Sequence, residues 1–247
     1  MKIYSDILLK CISGKKMIAV LVDPDRLNID ECDHIANKSV ESGVDLLFVG
    51  SSLITSDNFE NCLSVLKKSN LPLILFPGNL MQISDNADAL LFLSLISGRN
   101  PEMLIGRHVL AAPVLKRTSL EIIPTGYMLI DSGSPTSVSY MSGTIPIPHD
   151  KDDIAACTAM AGEMLGMKLI YLDSGSGARF PVSNKMVGEV KKNINVPVIV
   201  GGGIKTPEKA SEICRSGADV IVIGNVLEKD PNLISEIANA IHSLQTI

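Results

Sequence analysis

The sequence predicts an α/β fold, a (β/α)8 TIM barrel that forms a single domain over residues 1–247 and has a short or missing third helix. Three observations lead to this prediction. Short apolar runs alternate with helix-like stretches, which is the pattern of βα units around a parallel sheet. Most of these runs are continuously apolar, as strands covered on both faces are. The length of 247 residues is also typical of one such barrel.

Eight apolar runs are predicted to be strands. In chain order they cover residues 17–22, 44–49, 72–76, 89–93, 121–130, 169–172, 196–200 and 219–223. Before the first of them, residues 1–13 predict an amphipathic helix that covers the floor of the barrel. The carboxyl ends of all eight strands are then expected at the opposite face, where barrels of this kind carry their chemistry.

The helices between the strands begin and end at recognisable residues. Asn28 or Asp30 can cap a helix that runs to about Ser42, with Gly43 after its last turn. Further helices are predicted over residues 57–68, 183–192 and 208–216, the last with Pro207 at its first position.

Two intervals depart from the regular pattern. Residues 77–86 are too few for a full helix, so the third helix is expected to be short or absent. Residues 131–150 are rich in Ser, Gly and Pro and predict a long loop after the fifth strand. Long loops in compact domains are usually functional, so this loop is expected to border the site.

Composition excludes several classes of protein. With 22 Lys and Arg against 27 Asp and Glu, the net charge of −5 argues against nucleic-acid binding. The most apolar stretch, residues 87–96, is far shorter than a membrane span, and the first residues do not resemble a signal peptide. The five cysteines form no CxxC pair, which disfavours a zinc site or a disulfide framework and favours a reducing cytoplasm.

Glycines follow the last three predicted strands. Strand six continues into Ser174-Gly175-Ser176-Gly177, strand seven ends in Gly201-Gly202-Gly203, and strand eight ends in Gly224-Asn225. Glycine lets backbone N–H groups approach an anion closely, and the loops after strands seven and eight are the usual phosphate site of this fold. The expected ligand is a small phosphate ester, although any one of these turns could also serve only to relieve strain.

Carboxylates follow the first strand. Asp23 stands directly at the strand end, and Pro24 and Asp25 follow it. Magnesium takes oxygen ligands and often uses one or two carboxylates beside substrate phosphates, so Asp23 is the predicted metal ligand. A hydroxyl from Ser51 or Ser52, after strand two, could supply a neutral oxygen. The alternative is that Asp23 or Asp25 only caps a turn.

Taken together, these motifs resemble the geranylgeranylglyceryl phosphate synthase family over nearly the whole chain. The most specific part is the octapeptide Tyr171-Leu172-Asp173-Ser174-Gly175-Ser176-Gly177-Ala178, with Ile123 to Ile130 and the weak third helix in support. The resemblance implies a magnesium-dependent transfer of a polyprenyl group from its diphosphate to the 3-hydroxyl of sn-glycerol 1-phosphate, in ether-lipid biosynthesis. A homo-oligomer that contacts membranes only transiently is expected.

The resemblance also implies site residues. Those that would hold glycerol phosphate are Tyr171, Leu172, Asp173, Ser174, Gly175, Ser176, Gly177, Gly202, Gly203, Gly224 and Asn225. Tyr171 and Asp173 would act in catalysis, and Asp23 and Ser52 would contact Mg2+. Many relatives have Glu in place of Asp173 and Thr in place of Ser52, so hydrogen bonding by Asp173 is more secure than direct proton removal.

Some relatives also carry a basic residue before the first-strand Asp, where this chain has Val22. Lys205 or Arg99 would then balance the diphosphate charge. Two other functions share the glycine motifs: a different phosphate-binding barrel enzyme, and a non-catalytic barrel that binds a phosphorylated metabolite. The first should have a further acid or base at a strand end, and the second has no need of Asp23.

Overall fold

A computed structural model describes residues 2–224, 227 and 230–244. Within these residues eight parallel strands pair in sequence order and close into a barrel, which confirms the predicted fold. The strands are β1 (Met17–Val22), β2 (Leu46–Val49), β3 (Leu73–Leu75), β4 (Ala89–Leu95), β5 (Glu121–Leu129), β6 (Leu169–Asp173), β7 (Val198–Gly201) and β8 (Val220–Ile223). The barrel therefore directs all eight carboxyl ends to one face.

Each strand buries both of its faces. In β1, Met17 and Ala19 belong to the cluster inside the barrel, whereas Ile18 and Val20 belong to the cluster between the sheet and the helices. Successive side chains of a strand point to opposite faces, so both sets of positions must be apolar. The burial of both faces explains why the sequences of the strands are continuous apolar runs.

The helices surround the barrel, and one covers its floor. They are α1 (Ile3–Ile12), α2 (Ile29–Glu41), α3 (Phe59–Leu66), α4 (Arg107–Leu115), α5 (Ser137–Ser142), α6 (Asp152–Met164), α7 (Asn184–Asn193), α8 (Pro207–Arg215) and α9 (Leu233–His242). Ile7 of α1 packs inside the barrel, and the N–H of Ile3 donates to Glu121 at the start of β5. The predicted floor helix is thus confirmed.

A capping box fixes the first residue of α2. Asn28 accepts a hydrogen bond from the N–H of Glu31, and the Glu31 carboxylate accepts one from the N–H of Asn28. This reciprocal pair satisfies two N–H groups that the first turn leaves unpaired. Asn28, and not Asp30, is therefore the cap.

The third βα unit lacks its helix, as predicted. Between β3 and β4 the chain forms only a short 3-10 turn, Leu80–Gln82. The prediction of one long loop over residues 131–150 is wrong in part, because α5 lies within it. Thr136 and Ser139 form a reciprocal cap at its start, and Gly143 ends it at φ +59°, so two local signals define a six-residue helix there.

No helix among the described residues is long and apolar enough to cross a membrane.

Candidate functional site

A polar cavity of about 520 Å³ opens at the carboxyl ends of the strands. The predicted site residues in its wall are Asp23, Ser52, Tyr171, Asp173, Gly175, Ser176, Gly177, Gly202, Gly203 and Gly224. Leu172 instead packs its side chain between the sheet and the helices. Ser174 is buried, and its hydroxyl has no hydrogen-bond partner among the described residues; Asn225 lies outside them.

Asp173 is the buried carboxylate of this cavity. Its Oδ2 accepts a hydrogen bond of 2.6 Å from the hydroxyl of Tyr127, and its Oδ1 accepts one of 2.7 Å from the N–H of Gly175. Burial raises the pKa of Asp173 above the usual range, while these two hydrogen bonds act in the opposite direction. The site thus holds an oriented carboxylate whose proton affinity is increased.

Two tyrosines and a phenylalanine form the wall beside Asp173. The rings of Tyr127 and Tyr171 meet edge to face at 5.5 Å between centroids, and Phe76 lies 5.3 Å from Tyr171. Burial and the nearby Asp173 carboxylate raise the pKa of both tyrosines well above the usual value. Both hydroxyls therefore stay protonated at neutral pH, and that of Tyr127 donates to Asp173.

The glycines that follow β6 and β7 form the part of the wall next to Asp173, which we call the glycine cradle (Gly175, Gly177, Gly202 and Gly203). All four have positive φ, between +71° and +84°. A Cβ on Gly202 would lie 2.7 Å from the N of Gly175 and 2.8 Å from Asp173 Oδ1. Only glycine permits this approach of β7 to the β6 loop, so backbone N–H groups can line an anion site.

Asp23 and Asp25 have different surroundings. Asp23 Oδ2 accepts a hydrogen bond of 3.0 Å from the hydroxyl of Ser51 and lies 3.4 Å from Arg26 Nε. Burial acts to raise the pKa of Asp25, but hydrogen bonds from the N–H and hydroxyl groups of Thr55 and Ser56 lower this pKa to about 2. Asp25 therefore joins the loops after β1 and β2. Asp23 lines the cavity and also caps the turn after β1, because its Oδ1 accepts a hydrogen bond of 3.1 Å from the N–H of Asp25.

The described residues contain no group of three or more His, Cys, Asp or Glu side chains that could hold a metal ion. Asp23 is thus a single carboxylate with serine oxygens nearby. Such a donor set matches a Mg2+ ion whose remaining ligands are substrate oxygens and water.

Of the two basic residues expected near the diphosphate, the structure places only one at the cavity. Lys205 lines it, together with Arg26. Arg99 donates to the carbonyl of Gly98 and lies outside the cavity wall.

A second, apolar pocket of about 220 Å³ adjoins the polar cavity. Its walls come from β4, from α4 and from the segment after β3, including the 3-10 turn, and they include Leu91, Leu93, Met103, Ala111 and Leu115. It occupies the side of the barrel where the third helix is missing. The two spaces share five wall residues, Ser51, Ser52, Phe76, Tyr127 and Val138.

Sequence reasoning did not identify Tyr127 or the apolar pocket. Tyr127 lies within an apolar strand, and only the pairing of Tyr127 with Tyr171 across β5 and β6 brings its hydroxyl to Asp173. The short interval between β3 and β4 was a signal for the pocket, because a missing helix leaves apolar strand faces uncovered.

Comparison with known proteins adds independent information. The PcrB family model matches residues 12–241. The geranylgeranylglyceryl phosphate synthase of Chitinophaga pinensis is 51% identical over 243 residues, 98% of this chain and 96% of that protein. The Spirosoma linguale protein of the same name is 53% identical over 231 residues, 93% of each chain.

A solved structure shows the same fold in detail. The crystal structure of (S)-3-O-geranylgeranylglyceryl phosphate synthase from Thermoplasma acidophilum in complex with substrate sn-glycerol-1-phosphate matches with a TM-score of 0.93 and 34% identity. The match covers 98% of this chain and 99% of that one.

Proposed function

This chain belongs to the PcrB family, and we propose that it joins a polyprenyl diphosphate to the 3-hydroxyl of sn-glycerol 1-phosphate. The products are an ether-lipid precursor, which enters phospholipid biosynthesis, and diphosphate. Geranylgeranyl is the expected prenyl group.

The observation that carries this proposal is the shared wall between the polar cavity and the apolar pocket. A phosphate ester suits the glycine cradle, and a hydrocarbon chain suits the pocket between β4 and α4. Tyr127 stands in both walls and donates to Asp173. The acceptor hydroxyl and the allylic carbon would therefore meet beside Asp173, because that is where the two spaces join.

Asp173 orients the acceptor in this proposal. Its Oδ2 accepts from Tyr127 and its Oδ1 from Gly175, so the carboxylate cannot rotate freely. A carboxylate held in this way can accept a hydrogen bond from the 3-hydroxyl and take its proton late in the reaction. Holding the hydroxyl oxygen in line with the allylic carbon supplies much of the rate enhancement.

Asp23 and Ser52 would hold Mg2+, and the hydroxyl of Ser51 already orients one Asp23 oxygen. When bound, the ion neutralises charge on the leaving diphosphate. Arg26 and Lys205 border the same cavity and add positive charge there. Binding of a phosphate ester by the glycine cradle alone would not require the Asp23 carboxylate. A transfer reaction that releases diphosphate does require it, as a ligand of Mg2+.

We also propose that the protein is cytoplasmic, contacts membranes transiently and forms a homo-oligomer. The described cysteines are all free thiols, which supports a reducing cytoplasm. Met81, Ile105 and Val109 are exposed next to the apolar pocket, which supports transient membrane contact.

The test is incubation of the purified chain with radiolabelled glycerol 1-phosphate and prenyl diphosphates of several lengths, followed by extraction into organic solvent. Label should enter the organic phase only when both substrates and Mg2+ are present, and a chelator should abolish this. The sn-glycerol 3-phosphate isomer is the matched control for the cradle. If no prenyl diphosphate moves label into the solvent while glycerol 1-phosphate binds, the chain is a phosphometabolite-binding barrel.

A further inference from the structure

Two cysteines meet in the helix layer, away from both cavities. Cys32 of α2 and Cys62 of α3 are each fully buried, and their sulfur atoms lie 3.1 Å apart. This separation is shorter than an ordinary contact between two sulfur atoms. Neither thiol lines the polar cavity or the apolar pocket, so the proposed transferase reaction does not account for the pair.

The two cysteines occupy equivalent positions in successive βα units. Each is the fourth residue of its helix, and its N–H donates to the carbonyl of the asparagine that precedes that helix, Asn28 or Asn58. The side chain of Asn58 also donates to the carbonyl of Leu27, at 3.1 Å, which ties the two helix starts together. Backbone geometry on both sides therefore holds the sulfurs in contact.

We propose that Cys32 and Cys62 form a reversible disulfide when the protein meets a peroxide. An S–S bond is about 2.05 Å long, so the sulfurs need to approach by only about 1 Å. The bond would join α2 to α3 and close a loop that contains β2 and the segment after it. That segment carries Ser51, which donates to Asp23.

The chemistry balances with one peroxide molecule per pair. The Cys32 thiolate attacks one peroxide oxygen, the O–O bond breaks, and the departing hydroxide takes a proton to give water and a sulfenic acid. The Cys62 sulfur then attacks the Cys32 sulfur, the S–O bond breaks, and the second hydroxide leaves as water with the Cys62 proton. Two thiols are oxidised, and one peroxide is reduced to two waters.

The state of the two thiols supports this order of events. The hydrogen bond from Cys62 lowers the pKa of Cys32, whereas the same bond, together with burial, raises the pKa of Cys62. Cys32 is thus the better nucleophile and Cys62 the resolving thiol. A peroxide is small enough to reach a buried pair through the local opening that folded proteins undergo.

The experiment uses the full chain, reduced, desalted and treated with hydrogen peroxide. After catalase removes the excess, the protein is denatured, alkylated with N-ethylmaleimide and digested with trypsin. Cleavage after Lys38 separates the two cysteines, so a disulfide joins peptide 27–38 to peptide 39–67. Cys62→Ser tests the pair, and Cys157→Ser, at an exposed cysteine on α6, is the matched control.

We expect the linked peptides in the wild type and in Cys157→Ser, with neither Cys32 nor Cys62 alkylated, and we expect dithiothreitol to remove the linkage. The cross-linked protein should melt several degrees higher than the reduced protein, because the bond restricts the unfolded chain. Cys62→Ser and Cys32→Ala should show neither change. The proposal is overturned if Cys32 and Cys62 are both alkylated after a dose that oxidises Cys157, or if they cross-link only between chains.

Discussion

The loops after β6 and β7 contribute to the barrel mouth through the backbone of their glycines, whereas β4 and the segment after β3 contribute through apolar side chains. On the first side, four glycines with positive φ line the cavity wall. On the second side, a 3-10 turn replaces a helix and leaves Leu90 and Phe92, on the outer face of β4, facing a pocket bounded by α4. One barrel can thus build a polar and an apolar compartment by varying only the connections between its strands. Five predictions test this division.

Asp23→Asn should have the largest effect, because it removes the one carboxylate that faces the polar cavity from the end of β1. We expect turnover to fall about 10³-fold, since a neutral amide is a poor ligand for Mg2+ and leaves diphosphate charge uncompensated. The measurement is kcat as a function of Mg2+ concentration. Asp30→Asn, at an exposed position in the first turn of α2, is the control and should behave as wild type. An unchanged metal dependence in Asp23→Asn would remove Asp23 as a metal ligand.

Asp173→Asn should lower turnover about 10²-fold, because both orientation of the acceptor and proton acceptance are lost. Asp173→Glu keeps the carboxylate and adds only one methylene to the buried site, so it should retain substantially more activity than Asp173→Asn. Turnover of all three forms at saturating substrates, with circular dichroism as the control for folding, separates these effects. Wild-type turnover in Asp173→Asn would leave the octapeptide as a binding loop only.

Gly202→Ala should raise the KM for glycerol phosphate about tenfold or more and leave the KM for prenyl diphosphate nearly unchanged. The added Cβ would lie under 3.0 Å from two backbone N atoms and from Asp173 Oδ1, so the glycine cradle must shift. Gly143→Ala is a matched control: its φ is +59°, but no heavy atom lies within 4 Å of the added Cβ. Equal changes in both KM values would show that the cradle does not bind glycerol phosphate.

Tyr127→Phe tests the wall that the two compartments share. Loss of a hydrogen bond to a charged group costs about 1.5 kcal/mol, so kcat should fall roughly tenfold. The hydrogen bond opposes the rise in the pKa of Asp173 that burial causes, so its loss raises this pKa further. The acid limb of the kcat profile should therefore move to higher pH. Tyr140→Phe, at an exposed tyrosine, should leave the profile in place; an unmoved limb in Tyr127→Phe would mean that Asp173 is not the titrating group.

Ala111→Leu should have the smallest effect on activity, and it should affect only the binding of the prenyl diphosphate in the apolar pocket. Ala111 is buried in the wall of the apolar pocket, so added methylenes reduce the space for a prenyl chain. The KM for a long prenyl diphosphate should rise a few-fold, while the KM for glycerol phosphate stays constant. Ala112→Leu, its exposed neighbour on α4, is the control. A change in the glycerol phosphate KM alone would place the prenyl chain elsewhere.

Much of the candidate site could be predicted from the sequence, because the residues that form it directly follow predicted strands. Gly202 and Gly203 follow a strand directly, and a strand end in a barrel has one possible location. Asp23 follows β1 in the same way. The helix α5 was missed because Ser, Gly and Pro favour loops, and its cap at Thr136 is a short signal within that composition.

The barrel, the missing third helix and the glycine cradle are all specified by residues that lie close together in the chain. Apolar runs need cover on both faces, and glycines permit positive φ, so these features need no long-range information. Three other features arise only when the chain is packed: Tyr127 reaches Asp173, the loop after β2 donates hydrogen bonds to Asp23 and Asp25, and Cys32 meets Cys62. Those contacts join residues 28 to 46 positions apart, and their geometry depends on strand register and helix packing, which no local pattern encodes.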